Sequence, residues 1–309
     1  MRVINSFEHQ VKGVTIDEVI DTSNGEHVPV YKIDSFHVLT QFVGYAKYVN
    51  REQANVYLRG QTKLYGGRLI PSIFRPSDGK SSVSYSERLP KYRQRVHTAL
   101  TDNPAFNSID SDAIVPLLQH YGIKTSWLDI VDNLWVALWF GLHRFDAITL
   151  QDHEHIHISE VPQTDYAYLF LLAVDAQNEL TRRTKKCEIK VPGIYIGEKT
   201  CLVDLRKAVP SYYLRPHAQH GLMIHKNSIL DTKGRPLIKS DVDYSEFIVG
   251  VAKIQASMGL SWIGQNGLLS IQSLFPPTFY DNGYCKLIQN YKVDADAIPT
   301  YGSIQMISY

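Results

Sequence analysis

Gln119-His120-Tyr121-Gly122-Ile123-Lys124-Thr125-Ser126-Trp127-Leu128-Asp129 runs almost directly into Leu134-Trp135-Val136-Ala137-Leu138-Trp139-Phe140-Gly141. The first stretch places a glutamine, a histidine, a threonine and an aspartate within eleven positions. Every buried polar group needs its own hydrogen-bond partner, so core packing alone does not call for that density beside an apolar helix. The block reads as the floor of a binding site as well as part of a core.

Working outward, Ala113 to His120 is predicted as a helix that Tyr121-Gly122 ends, with Pro116 near its first turn, where a missing N–H costs little. Leu134 to Arg144 is predicted as another. Upstream, apolar residues from Phe36 to Val49 recur at helical spacing behind Asp34 or Ser35 as N-cap. Val56-Tyr57-Leu58 reads as a short strand delivering Arg59-Gly60-Gln61, Gly66-Gly67 and Pro71 punctuate a loop, and Ser84 to Leu100 reads as a helix despite Pro90. Downstream, the polar stretch Gln151 to Asp165 is expected to be an exposed excursion and Tyr166 to Val174 a buried strand. Lys185 to Tyr195 and Phe247 to Ile254 have the β-branched look of further strands. Gln255 to Leu269 is read as a helix that Gly259, Gly264 and Gly267 weaken. With no internal repeat, these elements predict a single α+β domain over 33–290, between segments 1–32 and 291–309.

The 309 residues carry a formal net charge of +1, with 44% hydrophobic and 20% charged residues. That is a globular composition with no global field to recruit nucleic acid or an anionic membrane. Apolar runs fall short of the roughly 20 residues that span a bilayer, and Met1 to Gln10 lacks an apolar leader core. A cytoplasmic protein is expected, with no membrane partner. Cys187, Cys201 and Cys285 lie far apart, outside any Cys-x-x-Cys pattern, and read as packing residues. No metal is expected: His155 and His157 share one strand face but sit in a polar loop, and there is no Walker loop, Gly-x-Ser-x-Gly elbow or His-Glu-x-x-His motif.

Leu58-Arg59-Gly60-Gln61, Leu69-x-Pro71-Ser72-x-Phe74-Arg75, Gln119-His120-Tyr121-Gly122-x-x-Thr125-x-x-Leu128-Asp129, Asn133 and Val136-Ala137-Leu138-x-Phe140 resemble the FRG domain, named for its Phe-Arg-Gly tripeptide. Arg215-x-x-x-Gln219-x-Gly221-Leu222 and Leu274-Phe275-Pro276 are similar to its C-terminal signatures. Leu58 stands where the family often has Phe, and Ile130-Val131 where Trp-Thr is common. The resemblance points to bacterial and phage proteins that often lie near toxin and defence systems.

A looser likeness is to ADP-ribosyltransferases. Their core runs from Arg or His followed by Gly, through a Thr-Ser strand and an Ala-x-x-Phe helix, to a Gln/Glu-x-Glu loop. Arg59-Gly60, Thr125-Ser126, Ala137-Leu138-x-Phe140 and Gln219 follow that order. The likeness implies a split, mainly antiparallel sheet flanked by helices. It also implies NAD or another nucleotide as substrate, ADP-ribosyl transfer or NAD cleavage as reaction, and a protein or nucleic-acid acceptor.

In that reading Arg59, Gly60, Gln61, Gln119, Tyr121, Thr125, Ser126 and Arg215 surround the nucleotide, while His120, Gln219 and Asp129 sit at the reacting end. Arg59 suits a pyrophosphate because a guanidinium bonds phosphate oxygens in pairs, and Gly60 lets a ligand approach the backbone. Each residue has a plainer role beside this one. Arg59 pairs with an acid such as Asp129; Thr125 and Ser126 satisfy strand-end groups; His120 caps its helix or acts as a base; Asp129 orients His120 or caps the following helix with Asp132. Gln219 stands where a transferase has glutamate, a change that removes about 3 kcal/mol of charge stabilisation unless Asp129 or Glu246 supplies it. Two further classes therefore stay open: a non-catalytic nucleotide or nucleic-acid sensor, and a hydrolase or nuclease built on His120 and Asp129. Arg182-Arg183 with Lys185-Lys186 and the pair Tyr212-Tyr213 are weaker nucleic-acid signals.

Overall fold

Tyr166–Val174 is apolar at almost every position and buried on both faces, the signature of a central strand covered on each side. The computed structural model describes residues 7–75, 106–122, 125–150, 153–183, 187–227, 242–264, 269–277, 279–283 and 306–307. In chain order a short helix α1 (Phe7–Gln10) leads into the hairpin β1 (Val14–Asp21) and β2 (His27–Ile33), followed by α2 (Phe36–Asn50) and β3 (Asn55–Gln61). After two short 3-10 turns, Tyr65–Gly67 and Ser72–Phe74, come α3 (Ser111–His120), β4 (Leu128–Val131) and α4 (Leu134–Leu142). The strands β5 (His143–Leu150) and β6 (His153–Glu160) form a separate hairpin before the central β7 (Tyr166–Val174). Next are β8 (Asn178–Arg183), β9 (Glu188–Ile196), β10 (Thr200–Asp204), α5 (Leu205–Ala208), α6 (Leu214–Ala218) and β11 (Gly221–Lys226). The last are β12 (Ile248–Gln255), α7 (Ala256–Ile263), α8 (Ile271–Leu274) and β13 (Met306–Ile307).

Ten strands make one sheet in the order β1-β2-β12-β7-β3-β4-β11-β10-β9-β8, and three make a second, β13-β6-β5. In the large sheet β2 and β12 run parallel while the other neighbours are antiparallel. The fold is α+β with a mainly antiparallel sheet, as expected. Its middle is narrow: β3 and β4 share the single register pair Leu58↔Val131. Alternation along β7 divides the core. Leu169, Leu171 and Ala173 join a cluster with Leu39 and Phe42 of α2 and Val136 of α4, whereas Phe170, Leu172 and Val174 join one with Phe74, Leu117 and Tyr121. Residues 7–33 add to the same sheet, and Phe7 packs its ring 4.2 Å from that of Phe42.

Several expectations change in detail. The α3 helix begins at Ser111 with Asp110 as its cap, so Pro116 lies inside it and removes an interior N–H. Asn133, and not Asp129 or Asp132, caps α4, because it is the residue next to the first helical position and accepts from Trp135 and Val136. His143 ends α4 two residues early. The polar stretch after residue 151 is mostly the strand β6, paired along its whole length with β5. The α7 helix stops at Ile263, where Gly264 takes φ 64°. The helix expected at Ser84 to Leu100 lies outside the described residues. No helix among the described residues is long and apolar enough to cross a membrane.

Gly60 marks the tightest packing between β3 and α4. A Cβ on it would fall 1.8 Å from the Ala137 carbonyl oxygen and 2.6 Å from the Gly141 nitrogen. Gly60→Ala should therefore cost about 3 kcal/mol or more in urea unfolding, because backbone has to move. Gly44→Ala, on the exposed face of α2 with open space around it, should add about 0.5–1 kcal/mol. Equal effects of the two would refute the close-approach account. His143 gives a pH signature: its ring is buried, stacked 3.9 Å from that of Trp139, and burial lowers its pKa from the ordinary 6.5. The unfolded chain then takes up the proton first, so the contribution of the neutral ring is complete above pH 6.5 and declines below it. Unfolding free energy measured from pH 7 to 5 should fall less steeply in His143→Phe than in the parent.

Candidate functional site

The last turn of α3, the end of β3, the 62–75 loop and β4 meet around Asp129. Where β3 and β4 part beyond Leu58↔Val131, the Arg59 Nη1 donates to the backbone oxygen of Asp129 at 2.6 Å. The Asp129 carboxylate receives Gln119 Nε2 at 3.2 Å and lies 3.7 Å from His120 Nδ1 and 4.0 Å from Arg59 Nη1. Burial pushes its pKa up, but His120, Arg59 and Gln119 together hold it below the usual carboxylate value. It is ionised at neutral pH. Burial, then the nearby Arg75 charge, lowers the Arg59 pKa to about 10, with Asp129 and Tyr65 opposing. Arg59 stays a cation under physiological conditions.

Gln119 ties the cluster together. Its Oε1 accepts from Thr125 N at 2.8 Å, Thr125 Oγ1 at 2.7 Å and Ser72 Oγ at 3.2 Å, which orients Nε2 toward Asp129. The His120 side chain is 5% exposed. Its ring lies over Gly221, where a Cβ would come within 2.7 Å of Cε1 and 3.0 Å of Nε2. Arg59 Nε, Gln61 Oε1 and His120 Nε2 are buried and have no hydrogen-bond partner among the described residues. Among the described residues, Arg59 lies 4.0 Å from the Asp129 carboxylate and feels the charge of Arg75 as well, so two guanidiniums and one carboxylate interact here. Such an arrangement can hold an anion at Arg59 and Arg75 and a proton acceptor at Asp129.

Arg75 and Tyr65 were not among the residues singled out from sequence. Arg75 is exposed and anchored by Nε to the Ile70 carbonyl at 2.7 Å. Tyr65 is 61% exposed with φ 52°, followed by Gly66 and Gly67 at φ 62° and 77°. A tyrosine in the left-handed region is an outlier of the kind that clusters at ligand sites. The Gly66-Gly67 pair and the Arg75 of the loop motif were the available signals.

Other candidates serve elsewhere. Gly60 admits the α4 backbone on the side where a Cβ would point, so helix packing accounts for it and ligand approach does not. Thr125 precedes β4 and its Oγ1 accepts from Trp127 N at 3.0 Å. Ser126 faces His225 Nε2 at 3.2 Å, and its carbonyl accepts from Tyr244. The Tyr121 hydroxyl donates to the buried Asp281, and the Arg215 guanidinium lies 4.7 Å over the Tyr121 ring and 5.4 Å from that of Phe275. Gln219 Nε2 donates to the Leu274 carbonyl at 2.7 Å, and Glu246 pairs with Lys226. Neither occupies the acid's place beside Asp129.

The weaker signals also find structural partners. Arg182 bonds Asp110 and Asp112 across to α3, and Arg183 pairs with Glu188; Lys185 and Lys186 lie outside the described residues. Tyr213 is buried. Cys201 is a free thiol that burial pushes up to about 12, which leaves it protonated and unreactive. Cys187 is exposed, and Cys285 lies outside the described residues. Among the described residues no group of three or more His, Cys, Asp or Glu side chains is placed to hold a metal.

No curated protein and no solved structure matches the chain. A family model for the FRG domain matches residues 54–148. That span contains Arg59, the Ser72 and Arg75 loop, Gln119 to Asp129 and α4, while Arg215 and Gln219 fall beyond it. The Arg59, Arg75, Gln119, His120 and Asp129 side chains all lie in the matched region, whereas Gly221 beneath the His120 ring falls beyond it, and the chain carries an FRG domain.

Proposed function

We propose that the cleft around Asp129 binds NAD and cleaves it at the nicotinamide ribosyl bond, passing the ADP-ribosyl group to water or to a protein or nucleic-acid acceptor. The observation behind this is the Arg59 guanidinium, which lies 4.0 Å from the Asp129 carboxylate, is repelled by the nearby Arg75 charge and has no partner for its Nε among the described residues. A pyrophosphate relieves that repulsion and offers paired acceptors to each guanidinium. The C1′–N bond breaks with its electron pair leaving on nicotinamide, and the ionised Asp129 stabilises the positive charge that develops on the ribose. The acceptor hydroxyl attacks C1′ and gives its proton to solvent by way of the partly exposed Asp129 carboxylate, which the His120 Nδ1 faces at 3.7 Å. Asp129 thus takes the electrostatic part that glutamate plays in transferases. A role as toxin or defence effector belongs to the same proposal.

A second reading is a sensor that binds the nucleotide without turnover. It is favoured by the commitment of Gln219 to the Leu274 carbonyl, which leaves no amide or acid from that segment for a ribose.

Calorimetry with NAD, combined with an assay for free nicotinamide, separates the readings. Arg75→Ala, at an exposed position, should weaken binding by about tenfold or more and leave the melting temperature unchanged. Asp129→Asn should keep the affinity and slow nicotinamide release about 100-fold. Binding without release in the parent protein would establish the sensor, and absence of both would exclude NAD as ligand.

A further inference from the structure

A second concave site lies at the other end of β3 and takes no part in the cleft around Asp129. A cavity of about 260 Å3 opens there, with Leu202 and Leu222 on its apolar side and Asn55, Tyr57, Gln177 and Tyr195 on its polar side. This is somewhat below the roughly 300–1,000 Å3 of pockets that enclose drug-sized ligands. That volume limits an occupant to a small group.

Its charges cancel. Arg206, at the start of α5, donates to Asp204 from Nε at 2.8 Å and Nη2 at 3.0 Å, and to Asp132 from Nη1 at 3.2 Å and Nη2 at 3.0 Å. Lys207 donates to the Tyr195 hydroxyl at 3.2 Å and lies 3.9 Å from Asp204. Two acids face two cations. The wall therefore selects neither an anion nor a cation.

The rest of the lining is uncharged; Asn55 bonds the Tyr57 hydroxyl and Tyr195 accepts from Lys207, which leaves the second donor and the acceptor capacity of the amides for a neutral ligand. Asn55 and Gln177 are exposed amides, each with donors and an acceptor; Tyr57 and Tyr195 are half-buried phenols beside them. Side-chain amides bond base edges in pairs, and tyrosine rings with aliphatic neighbours take base faces. Behind the lining, His220, with φ 53°, places Nδ1 3.3 Å from Asp132 and 3.2 Å from Arg206. We propose that the cavity between Tyr57 and Tyr195 binds a nucleobase, carried by a free nucleoside or by a single-stranded nucleic acid.

Equilibrium dialysis of the full chain against labelled adenosine, guanosine, cytidine and uridine, and against single-stranded RNA and DNA hexamers, tests this. At least one nucleoside should bind in the millimolar range or tighter. Asn55→Leu and Tyr195→Ala should each weaken it by about tenfold with the melting temperature unchanged, whereas Arg75→Ala should leave it unaltered. A hexamer that binds much more tightly than its nucleosides identifies a strand as the source; equal affinity identifies the free nucleoside. No binding of any probe at millimolar concentration, binding indifferent to both cavity variants, or binding lost in Arg75→Ala would overturn the assignment. A nucleoside has no phosphate, so this result does not depend on whether NAD binds at Arg59 and Arg75.

Discussion

The contact on which the rest of the molecule turns is the approach of β3 to α4 at Gly60, where backbone meets backbone with no side chain between. A Cβ on Gly141 would in turn lie 3.6 Å from the nitrogen and oxygen of Gln61. This closeness sets the height of the end of β3 against the helix, and the Asn133 cap sets where that helix begins. With both ends located, β4 needs only the Leu58↔Val131 pair to dock beside β3. The strands then diverge, and the main-chain oxygen of Asp129, which a continuous ladder would have used, is bonded by Arg59. The site is a consequence of incomplete pairing at the narrow middle of the sheet.

Incomplete pairing leaves polar groups that must be satisfied, and Gln119 satisfies most of them. One amide joins the Ser72 turn, Thr125 ahead of β4, and the Asp129 carboxylate. Buried polar networks of this kind are stable when each member is bonded and costly when one is not. The buried atoms of the cluster with no partner among the described residues, Arg59 Nε and His120 Nε2, are on residues that chemistry would use. The same logic separates Tyr121 from the cleft, although it directly follows His120 in sequence. Its hydroxyl is committed to Asp281, which also accepts from the Leu214 and Arg215 backbone nitrogens.

Local pattern was enough where one physical effect dominates. The apolar run Tyr166 to Val174 is recovered with the same ends, and the periodic stretch behind Ser35 differs from α2 by one residue. Arg59, Gln119, His120 and Asp129 were legible as a polar group because they stand against apolar neighbours. Competing effects were harder to resolve. Strand β11 is short and pairs with β4, which lies far upstream in sequence, a partner no window reveals. Asp129 resembled a helix cap, but Asn133 is nearer the first turn and took that role. Gln219 resembled a ligand group by order along the chain, yet its segment packs against Leu274, and order does not determine which way an amide points.

Net charge near zero hides the difference between the two charged clusters at opposite ends of β3. Around Asp129, among the described residues, desolvation and repulsion from Arg75 outweigh the attraction of Asp129 and lower the Arg59 pKa to about 10. Beside Tyr57 the guanidinium of Arg206 is held between Asp132 and Asp204, and those hydrogen bonds raise its pKa despite burial. A cation in the first setting gains by acquiring a counter-anion, whereas one in the second has its acceptors already in place. The first arginine keeps an unpartnered Nε among the described residues, and the second holds a wall in shape. The distinction rests on how many carboxylates fall within reach of each guanidinium, a property of the folded sheet that the overall charge of +1 does not carry.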